Sequence, residues 1–151
     1  LVAGTYPINL SFAENTYYKS TTLNRSLVIT KVTPTLNALT SYLIPVYEEM
    51  IVPFGVSRNT RIPLTGTVTL KDTTTNTTID TVDVNAEQIT AVFSELGEIP
   101  CKLTYSGNNY LNSVNITIIF TSYGPKYIIT CNKQGDVDIT LVDSFPSDTS
   151  V

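Results

Sequence analysis

At 151 residues the chain has room for one complete small domain with fragments beside it, or for two small domains at most. Nine Lys and Arg stand against 13 Asp and Glu, and the basic residues are scattered singly. The chain therefore lacks the basic stripe that phosphate binding needs and the polybasic run of a membrane-surface segment. Histidine is absent, which excludes Ser-His-Asp and Cys-His triads and His-ligated zinc.

Taken in chain order, the pattern is one of short strands. Ile8, Leu10 and Phe12 alternate with Asn9 and Ser11, giving one apolar and one polar face, and Leu27 and Ile29 continue the pattern on a returning strand. Residues 36–43 read as the first strand of a new unit. Residues 47–54 read as a second, with Pro45 and Pro53 confining its ladder or placing it at an edge. Residues 62–71 alternate through Leu64, Gly66, Val68 and Leu70. A polar turn at 72–77 separates them from strands around 79–84 and 88–93. Cys101, Leu103 and Tyr105 then alternate on one strand, and Ile116, Ile118 and Phe120 on the next. Ser106, Gly107, Asn108 and Asn109 lie between them and tolerate the positive φ of a turn. After Pro125 the pattern restarts, with strands at 127–130 and 137–141. No apolar run approaches the length of a membrane span.

The chain also repeats itself. Residues 4–12 (GTYPINLSF) lie over 97–105 (GEIPCKLTY) without a gap, and Asn15, Tyr17 and Ser20 fall on Asn108, Tyr110 and Ser113. After a two-residue slip Pro34 falls on Pro125, so the period is about 91 residues, the size of one small β-sandwich domain. The expected fold class is all-β: immunoglobulin-like sandwich repeats, one complete domain flanked by partial ones. Residues 1–33 would close a preceding repeat, 34–124 form the complete domain, and 125–151 open a following one. The expected core of the complete domain is Leu64, Val68, Leu70, Val92, Leu103, Tyr105, Ile116 and Ile118.

Residues 105–113 (YSGNNYLNS) resemble the penultimate-strand motif of bacterial Ig-like repeat domains, and residues 64–70 (LTGTVTL) are similar to the mid-domain strand of those repeats, with its Gly at a bend. Repeats rich in Thr, Asn and Tyr are typical of the adhesin-like surface proteins of methanogenic archaea. The resemblance covers residues 34–122 and, in part, the flanks. In the first copy Glu14 stands where the motif has Gly. The resemblance implies an extracellular, cell-surface spacer or adhesion module. It would be structural and repeated in tandem, with neighbouring repeats and a host or cell-wall glycan or protein as partners. A charged share of 15%, well below the usual quarter, suits an extracellular β protein. The chain opens at Leu1 in strand-like sequence, and an excerpt or a processed product is expected. Two further readings stay open. One is a filament or appendage subunit that shares strands between identical chains, and the other a viral or phage fibre domain.

The residues that could carry chemistry are few, and no enzyme activity, cofactor or metal is expected. No glycine-rich phosphate loop or Cys-x-x-Cys pair occurs. Glu48 and Glu49, Asp80 and Asp83, and Asp136 and Asp138 are the acidic pairs. Strand spacing builds no cleft between carboxyls, so all three pairs read as solvated faces. A calcium site between domains is the alternative for Asp136 and Asp138. Tyr17, Tyr18, Tyr42, Tyr47, Tyr105 and Tyr110 invite sugar stacking but read mostly as packing residues. Cys101 and Cys131 fall in different units and read as small apolar residues rather than a disulfide. Asn9, Asn24, Asn76 and Asn115 each begin an Asn-x-Ser/Thr sequon and are candidate glycosylation sites, Asn76 in its Thr-rich turn being the most accessible.

Overall fold

A computed structural model describes residues 1–124, 126–131, 135 and 137–143. Among them the fold is all-β, with thirteen strands and one 3-10 turn, Val84–Ala86. Strands β1 (Gly4–Phe12) and β2 (Thr21–Ile29) form a two-stranded antiparallel hairpin. The central unit follows with β3 (Thr35–Asn37), β4 (Ser41–Pro45), β5 (Met50–Pro53), β6 (Gly55–Ser57), β7 (Thr67–Asp72), β8 (Thr78–Asp83), β9 (Gln88–Ala91), β10 (Gly97–Tyr105) and β11 (Val114–Tyr123). A last hairpin joins β12 (Lys126–Cys131) to β13 (Val137–Asp143).

The central unit is built on a five-stranded sheet of order β4-β11-β10-β7-β8. Within it β4 runs parallel to β11, and the other pairs are antiparallel. Against it lie the ladders β3-β6 and β5-β9, with Phe54 linking β5 to β6 into one near-continuous run. Leu36, Val52, Phe54, Ile89 and Ala91 from this side join Ile44, Val68, Leu70, Cys101, Leu103, Tyr105, Ile118 and Phe120 from the large sheet in a single buried cluster. Each strand sends alternate side chains inward because the pleat has a period of two. The result is sandwich-like.

The expected core is largely in place. Val68, Leu70, Leu103, Tyr105 and Ile118 are fully buried, and Leu64 and Ile116 pack half-buried against the cluster. Val92 is the correction: it is 47% exposed, because Ile89, Ala91 and Phe93 take the inward positions and leave the residue between Ala91 and Phe93 facing out.

Several expected strands prove shorter. The one predicted at 36–43 splits into β3 and β4 around an irregular stretch at residues 38–40. The one predicted at 47–54 starts only at Met50, because Tyr47 sits at φ 64° in a turn whose amide donates to the Phe93 carbonyl oxygen. The one predicted at 62–71 begins at Thr67, since Gly66 at φ 117° breaks the extended backbone just before it. Asp136 and the side chains of Cys131 and Asp138 lie outside the described residues, and the calcium and disulfide readings with them.

The two hairpins that the repeat aligns have the same construction. Gly4 pairs with Ile29 and Phe12 with Thr21; in the central unit Gly97 pairs with Ser122 and Tyr105 with Val114. Every pair is displaced by the same 93 residues, and the slip to a period of 91 falls after β2 and β11. The connections share their Asn bonds. Asn15 Oδ1 accepts from the amides of Tyr17 and Tyr18, and Asn108 Oδ1 from those of Tyr110 and Leu111. The Asn15 amide donates to the Tyr18 carbonyl at 3.0 Å, as the Asn108 amide does to the Leu111 carbonyl at 3.0 Å. An Asn side chain bonding to backbone two and three residues ahead is a self-contained turn, so the connection forms even where the flanking residues differ.

Candidate functional site

The motif at residues 105–113 is the most densely bonded part of the central unit. Tyr105 is fully buried, and its hydroxyl donates to the Thr65 carbonyl at 2.7 Å. Ser106 Oγ accepts from the Thr67 amide at 3.0 Å, and Asn108 Nδ2 donates to the Pro63 carbonyl at 2.9 Å. Ser113 Oγ closes the turn by donating to the Tyr105 carbonyl. Together these bonds hold the loop before β7 against the β10–β11 connection. A Cβ on Gly66 would lie 2.6 Å from Ser106 Oγ and 2.9 Å from the Gly107 carbonyl oxygen, so only Gly fits that close approach. The motif thus acts as a clamp between strands.

The same turn meets the segment leading into the central unit. The Val32 amide donates to the Tyr110 carbonyl, the Asn112 amide donates to the Val32 carbonyl, both at 2.9 Å, and Asn112 Nδ2 donates to Thr33 Oγ1. The Ala3 amide reaches the Asn109 carbonyl at 3.4 Å. In this way the start of the first hairpin touches the turn of the second.

The acidic pairs have separate roles. Asp80 is a second correction: it is half-buried, not a solvated face, and its Oδ2 accepts from the amide and hydroxyl of Thr90 at 3.1 and 2.9 Å while Oδ1 accepts from the Thr81 amide. It ties β8 to β9, and the bond from the Thr90 amide above all holds its carboxyl below the ordinary value. Asp83 caps the 3-10 turn by accepting from the Asn85 amide and side chain, which also lowers its pKa. Glu48 and Glu49 are exposed beside the Tyr47 turn. A shallow cleft of about 220 Å³ lies among Asp72, Ile79, Phe93, Glu95 and Ile99. That is below the size at which pockets enclose a small molecule, and Asp72 Oδ1 already accepts from the Thr74 and Thr75 amides. No group of three or more His, Cys, Asp or Glu placed to hold a metal occurs among the described residues.

Since Asp80 gains bonds to its charged form on folding, its folded pKa is depressed. The stability it contributes is present above the unfolded value and is lost as pH falls through the folded one. Acid titration of the unfolding midpoint should therefore show a loss of stability below about pH 4. Asp80→Asn should flatten that loss; an unchanged profile would remove Asp80 from the folding balance.

Cys101 is a fully buried free thiol on β10. Burial first, and then the nearby Asp72 charge, push its pKa up to about 12. The thiolate is the reactive species, so Cys101 should resist a thiol reagent at pH 8 in the folded chain and react once the chain is unfolded. Rapid native labelling of Cys101, located by peptide mass, would contradict its burial.

All four sequon asparagines are exposed. Asn9 and Asn24 face each other across β1 and β2, with Asn9 Nδ2 donating to Asn24 Oδ1. Asn76 stands at φ 61° in the turn between β7 and β8, and Asn115 lies on the outer side of β11. The tyrosines divide. Tyr105 is buried, Tyr42 stacks on Phe120 at 5.4 Å and Tyr110 is half-buried, whereas Tyr17, Tyr18 and Tyr47 are exposed, Tyr17 by 87%. No protein-family model, curated protein or solved structure matches the chain.

Proposed function

We propose that this chain is a stretch of tandem Ig-like repeats from an extracellular surface protein, serving as a non-catalytic spacer or adhesion module. The observation that carries the reading is the recurrence of one hairpin at a constant step of 93 residues, with the same register and the same Asn turn. A chain that rebuilds one supersecondary unit at domain-length spacing is organised as an array. The strand order supports an Ig-like assignment: β3, β5–β6 and β9 on one side and β7, β10 and β11 on the other divide as the A, B, E and C, F, G strands of that fold do. The polar residues of the resembling motif are engaged in holding strands together, which fits a module selected for form.

Antibody labelling of intact producing cells, compared with lysed ones, tests the reading. Labelling of intact cells supports it, and labelling confined to lysed cells would overturn the surface assignment. The exposed β1–β2 hairpin also favours a second reading, a filament subunit joined by shared strands. Regular fibres in electron micrographs of the purified chain would select that one.

A further inference from the structure

In the central unit, β10 and β11 are covered. Ile99, Cys101, Leu103, Tyr105, Ile118 and Phe120 all face the buried cluster, with β4 along one edge of the pair and β7 along the other. At the matching step of 93 residues, β1 and β2 present Tyr6, Ile8, Leu10, Phe12, Leu23 and Leu27 on one face. None of these is buried; Leu10 is 59% exposed and Leu23 43%. The opposite face is mostly polar, with Thr5, Asn9, Ser11, Thr22, Asn24 and Ser26 beside Pro7 and an exposed Val28. A lone two-stranded hairpin is marginal in water and needs further strands over an apolar face. Tyr18 repeats the point at the turn: it stands where Leu111 is fully buried, yet it is 68% exposed.

We infer that the apolar face of β1–β2 is a docking surface for an Ig-like half-unit, a segment of the same make as residues 34–93, which adds strands along both edges and closes a second sheet over Leu10 and Leu23. This deepens the repeat reading and rests on it. The internal copy states what covers such a face, since the two hairpins share their register and their Asn bonds. One position specifies the occupant further. Arg25 stands opposite Ile8 where the central unit has Ile118, fully buried, opposite Cys101. Arg25 now rests its Nη1 on the Asn24 carbonyl. A cover that buries it must bring a carboxylate or carbonyl oxygens to that point, because an unpaired buried guanidinium is costly. The occupant is thus an apolar inner face bearing one acidic or carbonyl-rich spot.

The test joins a second copy of residues 34–93 directly ahead of Leu1 in the full chain, which places it in the phase that residue 93 has with Ser94. Amide hydrogen exchange of β1 and β2 is read with and without the extension, in the native Arg25 form and in Arg25→Ile. Protection at Leu10 and Leu23 should rise at least ~100-fold in the extended Arg25→Ile chain, and less in the extended native form, where the copied cover offers Arg25 no designed partner. Leu10→Asp in the extended chain should return exchange to that of the chain without the extension. Two results would overturn the inference: fast exchange at both positions in both extended forms, or a dimer of the unextended chain in which those amides are already protected. Neither bears on surface labelling, which tests the extracellular assignment separately.

Discussion

Replacing Leu103 with Ala is expected to destabilise the central unit by about 2–5 kcal/mol, the range for emptying a packed leucine site. Leu103 is fully buried, lies on the middle strand of the three that run β11-β10-β7, and pairs with Ile116 on one side and Leu70 on the other. The surrounding residues cannot collapse without breaking two ladders. Leu10, its counterpart in the first hairpin, is 59% exposed, so Leu10→Ala should cost less than about 0.5 kcal/mol in the same chain. Urea unfolding followed by tyrosine fluorescence, the chain having no Trp, measures both. A loss below about 0.5 kcal/mol for Leu103→Ala, with unchanged denaturant slope, would show that β10 does not lie at the centre of the sheet.

The contrast between these two leucines also shows what the sequence discloses. Alternation gave the inward faces of β10 and β11 directly, because Cys101, Leu103 and Tyr105 and then Ile118 and Phe120 keep a strict period of two. The repeat was equally visible, since a common register leaves the same residue types at the same steps. Alternation failed where the backbone departs from extended. Val92 follows a four-residue strand in a run where Ile89, Val92 and Phe93 are all apolar, so hydropathy alone places Val92 inside, whereas the buried Ala91 turns it outward. A small residue carries too little hydropathy to mark a face. Gly66 lies among alternating neighbours that read as strand, yet its φ of 117° ends the strand there, at the bend the resemblance implies.

The polar framework was less legible still. Nothing local to Asp80 announces that Thr90 supplies its partners, because the bonds join residues ten apart across a turn. The clamp on the loop at residues 63–67 spans some forty residues. Its only signal was the crowding of Tyr, Ser, Gly and Asn in one short motif, which points to bonding without naming the other end. The sequons were plain in the sequence, and their exposure follows for Asn76 from its turn and for Asn115 from its outward place on β11.

Gly107→Ala is expected to cost about 2–5 kcal/mol, more than positive φ alone requires. Gly107 lies at φ 75°, a conformation that costs a residue with a Cβ on the order of 1–2 kcal/mol. The added Cβ would also stand 2.7 Å from the Leu111 carbonyl oxygen and 2.8 Å from the Ser113 amide nitrogen. Both are backbone atoms of the turn, and Leu111 is pinned by its own burial, so neither withdraws without opening the bonds that Asn108 Oδ1 accepts from the Tyr110 and Leu111 amides. Gly97 is the control. It has φ 105° but open space around the new atom, so Gly97→Ala should cost only the backbone share. The difference between the two variants isolates the crowding inside the turn. Glu14 occupies the matching position of the first hairpin and is not among the residues with positive φ, which shows that the Asn turn survives there by taking another backbone path. If Gly107→Ala costs no more than Gly97→Ala, the central turn has taken the Glu14 path too. The clamp bonds that join Ser106 and Asn108 with residues 63–67 should then be weakened, and faster amide exchange at Thr67, whose amide donates to Ser106 Oγ, would reveal it.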